Sequence, residues 1–253
     1  MSTVQTRVGT FVWHEQVSPD PAKAQEFYGQ LFGWGTEIFG PGEMNYAMIS
    51  VGDKTHGGYS TAMEGAPPPH WLGHVLVENV DETVEKAESA GGSKLAGPFD
   101  MEDVGRMAII ADPQGAFLGA YQRHGEGSDS EGVFVWDELG TNDVEGAQAF
   151  YEEVFGWTAA DMGEDFGGYR IFDRVGGTGQ GHAGLMQLQD PNVPPMWIPY
   201  VGVEDTDACC EKATGLGAGV IVGPMDVPTV GRFAVLQDPQ GAVFGIIRGE
   251  PTP

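Results

Sequence analysis

The chain has 253 residues, and 37 acidic against 12 basic side chains give it a formal net charge of −25. That charge opposes nucleic acid and anionic membrane surfaces as partners, and no basic run offsets it. The only cysteines, Cys209 and Cys210, are adjacent, which excludes a disulfide framework.

In chain order, residues 11–17 read as a strand, with Trp13, Glu15 and Val17 on one face and Val12, His14 and Gln16 on the other. A helix follows: Asp20 is a good N-cap and Pro21 a good first-turn residue. Ala24, Phe27, Tyr28, Leu31 and Phe32 recur at helical spacing up to the stop at Gly33. Short strands are predicted around residues 34–39, 46–51 and 58–63, then a Pro-rich linker over 64–69. A second unit repeats the plan, with a strand over 71–77, a helix over 80–90 and a strand over 93–100. A hairpin closes it around Asp112-Pro113-Gln114-Gly115, whose Asp, Pro and Gly positions suit a type I turn.

The same plan then occurs again. Trp136 follows Trp13 by 123 residues, and VGRFAVLQDPQGAVFG over 230–245 follows VGRMAIIADPQGAFLG over 104–119 by 126. A long fixed offset marks a duplication, here with a small insertion expected near residues 176–181. The predicted organisation is α+β: residues 1–123, a polar Gly/Ser-rich linker over 124–132, and residues 133–253. Residues 1–10 are polar and no stretch has the apolar length of a membrane helix, so the expected location is the cytoplasm.

A strand, an Asp-x(6)-Phe-Tyr helix, Phe-Gly-Trp, and later Asp-Pro-Gln-Gly before a terminal strand resemble the vicinal oxygen chelate superfamily of glyoxalases, bleomycin-resistance proteins and extradiol dioxygenases. The resemblance covers nearly the whole chain, twice. It implies two tandem domains, each of two βαβββ modules forming a cupped sheet. Four modules in one chain supply what single-pair relatives make by dimerising, so a monomer or weak homodimer is expected. In metal-dependent relatives four His, Glu or Gln ligands come from the paired modules. The matching positions hold Trp13, Leu72, Gly119 and, for the fourth, a place near Tyr59. In the second half they hold Trp136, Ile198, Gly245 and a place near Leu185. Trp, Leu, Ile and Gly offer no donor suited to such a cation.

Glu15 and His74 each stand two residues after a ligand position and are the expected acid–base pair of a metal-free site; Glu138 and Tyr200 are their weaker counterparts. Alternatively both are hydrogen-bonded groups of a polar core, or Glu15, His56 and His74 form a displaced site for zinc, iron or manganese. His14 is expected to face away from the cup, and His70 and His124 to sit in linkers. Trp13, Phe39, Tyr46, Tyr59, Trp71 and Phe117 are candidates to line a pocket for a flat ligand. Arg106, repeated as Arg232, reads either as an anion clamp at the pocket mouth or as a structural ion pair with Asp100, as Arg232 with Asp226. The functional expectation is binding or tailoring of a small, aromatic metabolite. The alternatives are a metal-dependent lyase or oxygenase with its site in the first half, and a binder that sequesters a drug or toxin.

Overall fold

The computed structural model describes residues 7–40, 46–125, 132–177 and 179–249; residues 126–131 of the expected linker lie outside them. The first half runs β1 (Phe11–Ser18), α1 (Pro21–Phe32), β2 (Gly35–Phe39), β3 (Tyr46–Val51), β4 (Lys54–Thr61), β5 (His70–Leu76), α2 (Val80–Ser89), β6 (Ser93–Met101), β7 (Gly105–Ala111) and β8 (Phe117–Arg123). The second half repeats it as β9 (Phe134–Thr141), α3 (Val144–Phe155), β10 (Thr158–Asp161), β11 (Arg170–Asp173), β12 (Ala183–Gln187), β13 (Met196–Gly202), α4 (Thr206–Gly215), β14 (Gly219–Val227), β15 (Gly231–Gln237) and β16 (Val243–Gly249). Each half forms one mixed eight-stranded sheet, in the order β2-β3-β4-β1-β5-β8-β7-β6 and its counterpart β10-β11-β12-β9-β13-β16-β15-β14. This is the α+β, twice-repeated βαβββ architecture implied by the sequence.

Local chemistry explains the helices. Asp20 accepts from the Lys23 amide at 3.3 Å, Pro21 opens α1, and Gly33 ends it in the left-handed region at φ 74°. The equivalent Asp143 accepts from the Gly146 amide at 2.9 Å, and Gly156 at φ 68° ends α3. Ala24, Phe27, Tyr28 and Leu31 are buried on one stripe of α1, each large side chain contributing about 1.5–3 kcal/mol on leaving water.

The compact units do not follow the two halves. One unit joins Met1–Trp13, Gly73–Asp129 and Trp136–Trp197; the other joins His14–Leu72, Ser130–Val135 and Ile198–Pro253. The core of the first packs α2 and α3 side chains such as Val84, Phe150 and Tyr151 with Ile110, Leu118, Leu139, Phe172 and Leu185. That of the second packs α1 and α4 side chains such as Tyr28 and Cys210 with Ile49, Tyr59, Trp71, Leu236 and Ile246.

The repeated Asp-Pro-Gln-Gly turn does more than close a hairpin. The Asp238 carboxylate takes the amides of Gln240, Gly241 and Ala242 on one oxygen. Its other oxygen accepts from the Tyr28 hydroxyl at 3.0 Å, and that hydroxyl accepts from Trp71 Nε1 at 2.9 Å. In the other unit Trp197 donates to Tyr151 at 2.9 Å, and Tyr151 to Asp112 at 3.1 Å. The hairpin of each half thus satisfies the buried phenol on the first helix of the other. The Gln takes part too: Gln240 donates to the Asp20 carbonyl at 3.0 Å and Gln114 to the Asp143 carboxylate at 3.3 Å.

The arginines of the repeated Val-Gly-Arg segments, Arg106 and Arg232, form ion pairs that hold the fold. Arg106 grips Asp81, on the first turn of α2, through Nε and Nη2, both at 2.9 Å, and Asp100 on β6 through Nη1 at 2.5 Å. Arg232 repeats this with Asp207 and Asp226. The guanidinium beside Asp81 and Asp207 holds both carboxyls below their ordinary range. Of the two readings of Arg106, the structural ion pair with Asp100 is the one seen, extended to Asp81, so Arg106 clamps α2 to the β6–β7 hairpin instead of lining a pocket.

Candidate functional site

Strand alternation separates two faces of each sheet. On β9, Leu139 is fully buried in the helix core, so Trp136, Glu138 and Gly140 point to the opposite face. On β12, Ala183 and Leu185 belong to the helix core, and Gly184 and Met186 share the face of Glu138, with Glu138 level with Gly184 and Gly140 level with Met186. Tyr169, just ahead of β11, completes a hydrogen-bonded cluster there. Trp136 Nε1 donates to its hydroxyl at 2.9 Å, and the hydroxyl donates to Glu138 Oε2 at 2.9 Å. Burial, and then the Glu138 charge, pushes the Tyr169 phenol well above its ordinary range, so it stays a neutral donor. A Cβ on Gly184 would collide with the Tyr169 hydroxyl, so only glycine admits the phenol here.

The first half places the same residue types on β1, β3 and β4. Glu15 is level with Gly58, and a Cβ on Gly58 would collide with the Tyr46 hydroxyl. Glu15 and Tyr46 precede Glu138 and Tyr169 by 123 residues each, and Gly58 precedes Gly184 by 126, so the insertion falls between Tyr169 and Gly184. The next residue on this face differs between the copies. Ser60 donates to Glu15 Oε1 at 2.5 Å, whereas its counterpart is Met186.

The second-module strands carry a related device. His74 is level with Gly119, and a Cβ on Gly119 would collide with the imidazole; Tyr200 lies over Gly245 in the same way. The side chain expected here of metal-dependent relatives is thus replaced by space that a neighbouring ring fills. Phe117 shares this face with Gly119, since Leu118 and Ala120 are in the helix core. So do Met107, Ile109 and the exposed Phe99, which is level with Met107. The surface is apolar and aromatic, bordered by one imidazole. In the other unit Phe233, level with Met225, lies 6.3 Å from the Tyr200 ring.

Several expected site residues fall elsewhere. Tyr59 and Trp71 sit in the core beside α1, not on the face of Glu15. The residues of β4 on that face are Gly58 and Ser60, and those flanking Leu185 are Gly184 and Met186. Phe39 is exposed on the edge strand β2. Trp13 lies on β1, half-buried, two residues before Glu15. His14 stacks on Phe134 at 4.1 Å, on the face opposite Glu15. Glu15 and His74 belong to different compact units, so the acid–base pair is a feature of neither unit. The histidine that senses Glu15 within its own unit is His70, which opens β5 rather than lying in a linker. Burial lowers its pKa, while the Pro68 carbonyl and the Glu15 charge pull it back up.

His56 and His182, 126 residues apart, are counterparts that no local motif in the sequence pairs. Burial lowers both pKa values, His56 with help from Lys54, and His182 to about 4 against the pull of Asp173. Among the described residues no three His, Cys, Asp or Glu side chains form a group that could hold a metal, so the Glu15–His56–His74 set is not assembled. The residues at the family's ligand positions do not fit a metal either. Trp13, Leu72, Trp136 and Ile198 lack suitable donors, and Gly119 and Gly245 are covered by rings.

Among the described residues no helix is long and apolar enough to cross a membrane. The chain is 38% identical over 256 residues to the "Putative glyoxylase CFP32" of Mycobacterium bovis, covering 97% of each. It is 31% identical over 260 residues to the anthracycline biosynthesis protein DnrV of Streptomyces peucetius, covering 94% of this chain and 93% of that protein. Two solved structures share the fold. The 2,3-dioxygenase LapB from Pseudomonas sp. KL28 matches at TM-score 0.65 and 13% identity, over 98% of this chain and 95% of that one. The Mn(II)-bound glyoxalase from Novosphingobium aromaticivorans matches at 0.64 and 16%, over 96% and 82%. A family model matches twice, over residues 10–118 and 134–246, and the chain belongs to the Glyoxalase/Bleomycin resistance protein/Dioxygenase superfamily.

Proposed function

We propose that this protein binds a small, flat, hydroxylated aromatic metabolite, to carry or tailor it, without a metal at the superfamily's usual positions. The observation that carries this reading is the Trp136–Tyr169–Glu138 cluster on the sheet face away from the helices. The carboxylate can accept from a ligand hydroxyl, and the neutral phenol can turn its one proton from Glu138 to the conjugated carbonyl. Apolar and aromatic side chains on the same kind of face, Phe99, Met107, Ile109 and Phe117, suit a planar ring system. The naming of DnrV for anthracycline biosynthesis supports a polycyclic aromatic as the ligand class. A carboxylate held by a phenol could also take a proton from a bound phenol or enol, which is the chemistry a tailoring step would need.

The test is titration of the full chain with 1,4-dihydroxyanthraquinone, followed by tryptophan fluorescence, before and after exhaustive chelation. Saturable binding that survives chelation is expected. One tightly held zinc, iron or manganese per chain whose removal abolishes binding would overturn the metal-free reading. Absence of saturable binding would overturn the ligand class.

A further inference from the structure

The duplication supplies an internal control that separates structural groups from ligand-directed ones. The arginine clamps and the Trp–Tyr–Asp chains that hold the fold keep the same partners in both copies. Arg106 with Asp81 and Asp100 is repeated as Arg232 with Asp207 and Asp226. The chain Trp71–Tyr28–Asp238 is repeated as Trp197–Tyr151–Asp112. The Glu–Tyr–Gly set on the other face behaves differently. Its members recur, but their surroundings do not. Ser60 gives Glu15 a hydroxyl donor at 2.5 Å, and the counterpart Met186 gives Glu138 none. A purely structural cluster would keep its packing partners in both copies, as the arginine clamps do.

We infer that the chain carries two ligand sites of unlike polarity, one at each Glu–Tyr pair, and that Ser60 and Met186 set the difference. This rests on the proposed binding of flat aromatics. At Glu15 the Ser60 hydroxyl, whose proton goes to the carboxylate, adds a second acceptor beside it, so that site favours a ligand that carries hydroxyl groups. At Glu138 the thioether of Met186 offers a polarisable apolar contact, so that site tolerates a ring lacking the second polar group. Losing one satisfied polar contact against an apolar neighbour changes the preference between two such ligands by about tenfold.

The experiment is calorimetric titration of the full chain with 1,4-dihydroxyanthraquinone and with unsubstituted anthraquinone. Two ligands per chain in two affinity classes are expected for the hydroxylated probe. Tyr46→Phe should remove one class and Tyr169→Phe the other. In the Tyr169→Phe background, Ser60→Met should cut the remaining site's preference for the hydroxylated probe about tenfold. The reciprocal Met186→Ser in the Tyr46→Phe background should raise it, and serves if Ser60→Met does not fold. A single class of one ligand per chain would overturn the inference while leaving the binding reading intact. So would loss of the same class in both tyrosine variants, or an unchanged preference in the folded serine and methionine variants. No saturation by either probe would overturn the binding reading and this inference with it.

Discussion

Replacing Tyr28 by Phe tests the interlocked hairpins directly. Tyr28 is fully buried, and its hydroxyl is the acceptor for Trp71 Nε1 and a donor to Asp238 Oδ2. Removing it orphans a buried indole N–H, costing about 1–3 kcal/mol, and deletes a hydrogen bond to a carboxylate. Asp238 keeps the Gln16 amide at 3.4 Å and its three turn amides, so the second loss is partly offset. The net expectation is about 2–4 kcal/mol, read as a shift in urea midpoint at constant slope. Tyr151→Phe should cost at least as much. The counterpart of Gln16 is Leu139, so Asp112 lacks that second donor. Adding Trp71→Phe to Tyr28→Phe should cost less than Trp71→Phe alone, because no buried N–H then remains to be satisfied. A loss below about 0.5 kcal/mol in both tyrosine variants, or strict additivity with Trp71→Phe, would refute the network as a source of stability.

Other expectations follow from the same geometry. Gly184→Ala drives a Cβ into the Tyr169 hydroxyl and should lower stability by about 1–3 kcal/mol, while Tyr169→Phe/Gly184→Ala recovers part of it, both by thermal melting. Gly119→Ala should act likewise against the buried His74 ring, and His74→Ala in that background should relieve it. His182 has its folded pKa depressed to about 4 from an ordinary 6.5, so the unfolded chain binds more protons between those values. Its stability contribution is complete above about pH 6.5 and lost as pH falls toward 4, roughly 3 kcal/mol in all; His182→Gln should flatten the fall in a pH series of urea melts, and parallel curves would refute it.

Much of this fold was legible locally. The stripe Ala24, Phe27, Tyr28, Leu31 and the Asp-Pro-Gln-Gly turns obey rules that act over a few residues, and the structure follows them. Facing was harder. Counting the ligand position along the chain puts Tyr59 in the cup. Its side is fixed instead by the register of β4 on β1, where Gln16 is level with Tyr59, and one residue of slip exchanges the two faces. Tyr169 lies outside a strand and 31 residues from Glu138, so no period announces their hydrogen bond. Arg106 finds Asp81 25 residues upstream, beyond the neighbouring Asp100 that sequence proximity offered. The duplication itself held the missing signal: Glu15 and Tyr46 are offset from their counterparts by the same 123 residues as Trp13, and His56 by the later 126.

The two cores also bear on why the duplication stays in one chain. The stripe of α1 and the α4 side chains close one core, those of α2 and α3 the other, and each core draws one module from each half. In a half by itself each buried phenol would lose its carboxylate. Tyr28 reaches Asp238 across 210 positions, and Tyr151 reaches Asp112 across 39 positions that span the linker. Pairing with a second copy would restore these bonds to a lone half. Covalent linkage converts that bimolecular step into an intramolecular one. Once linked, the two copies need no longer be identical, and residues on the faces away from the helices can diverge without disturbing either core. Ser60 and Met186, and His74 and Tyr200, are the divergences such freedom allows, whereas the phenol–carboxylate pairs that join the halves have stayed the same.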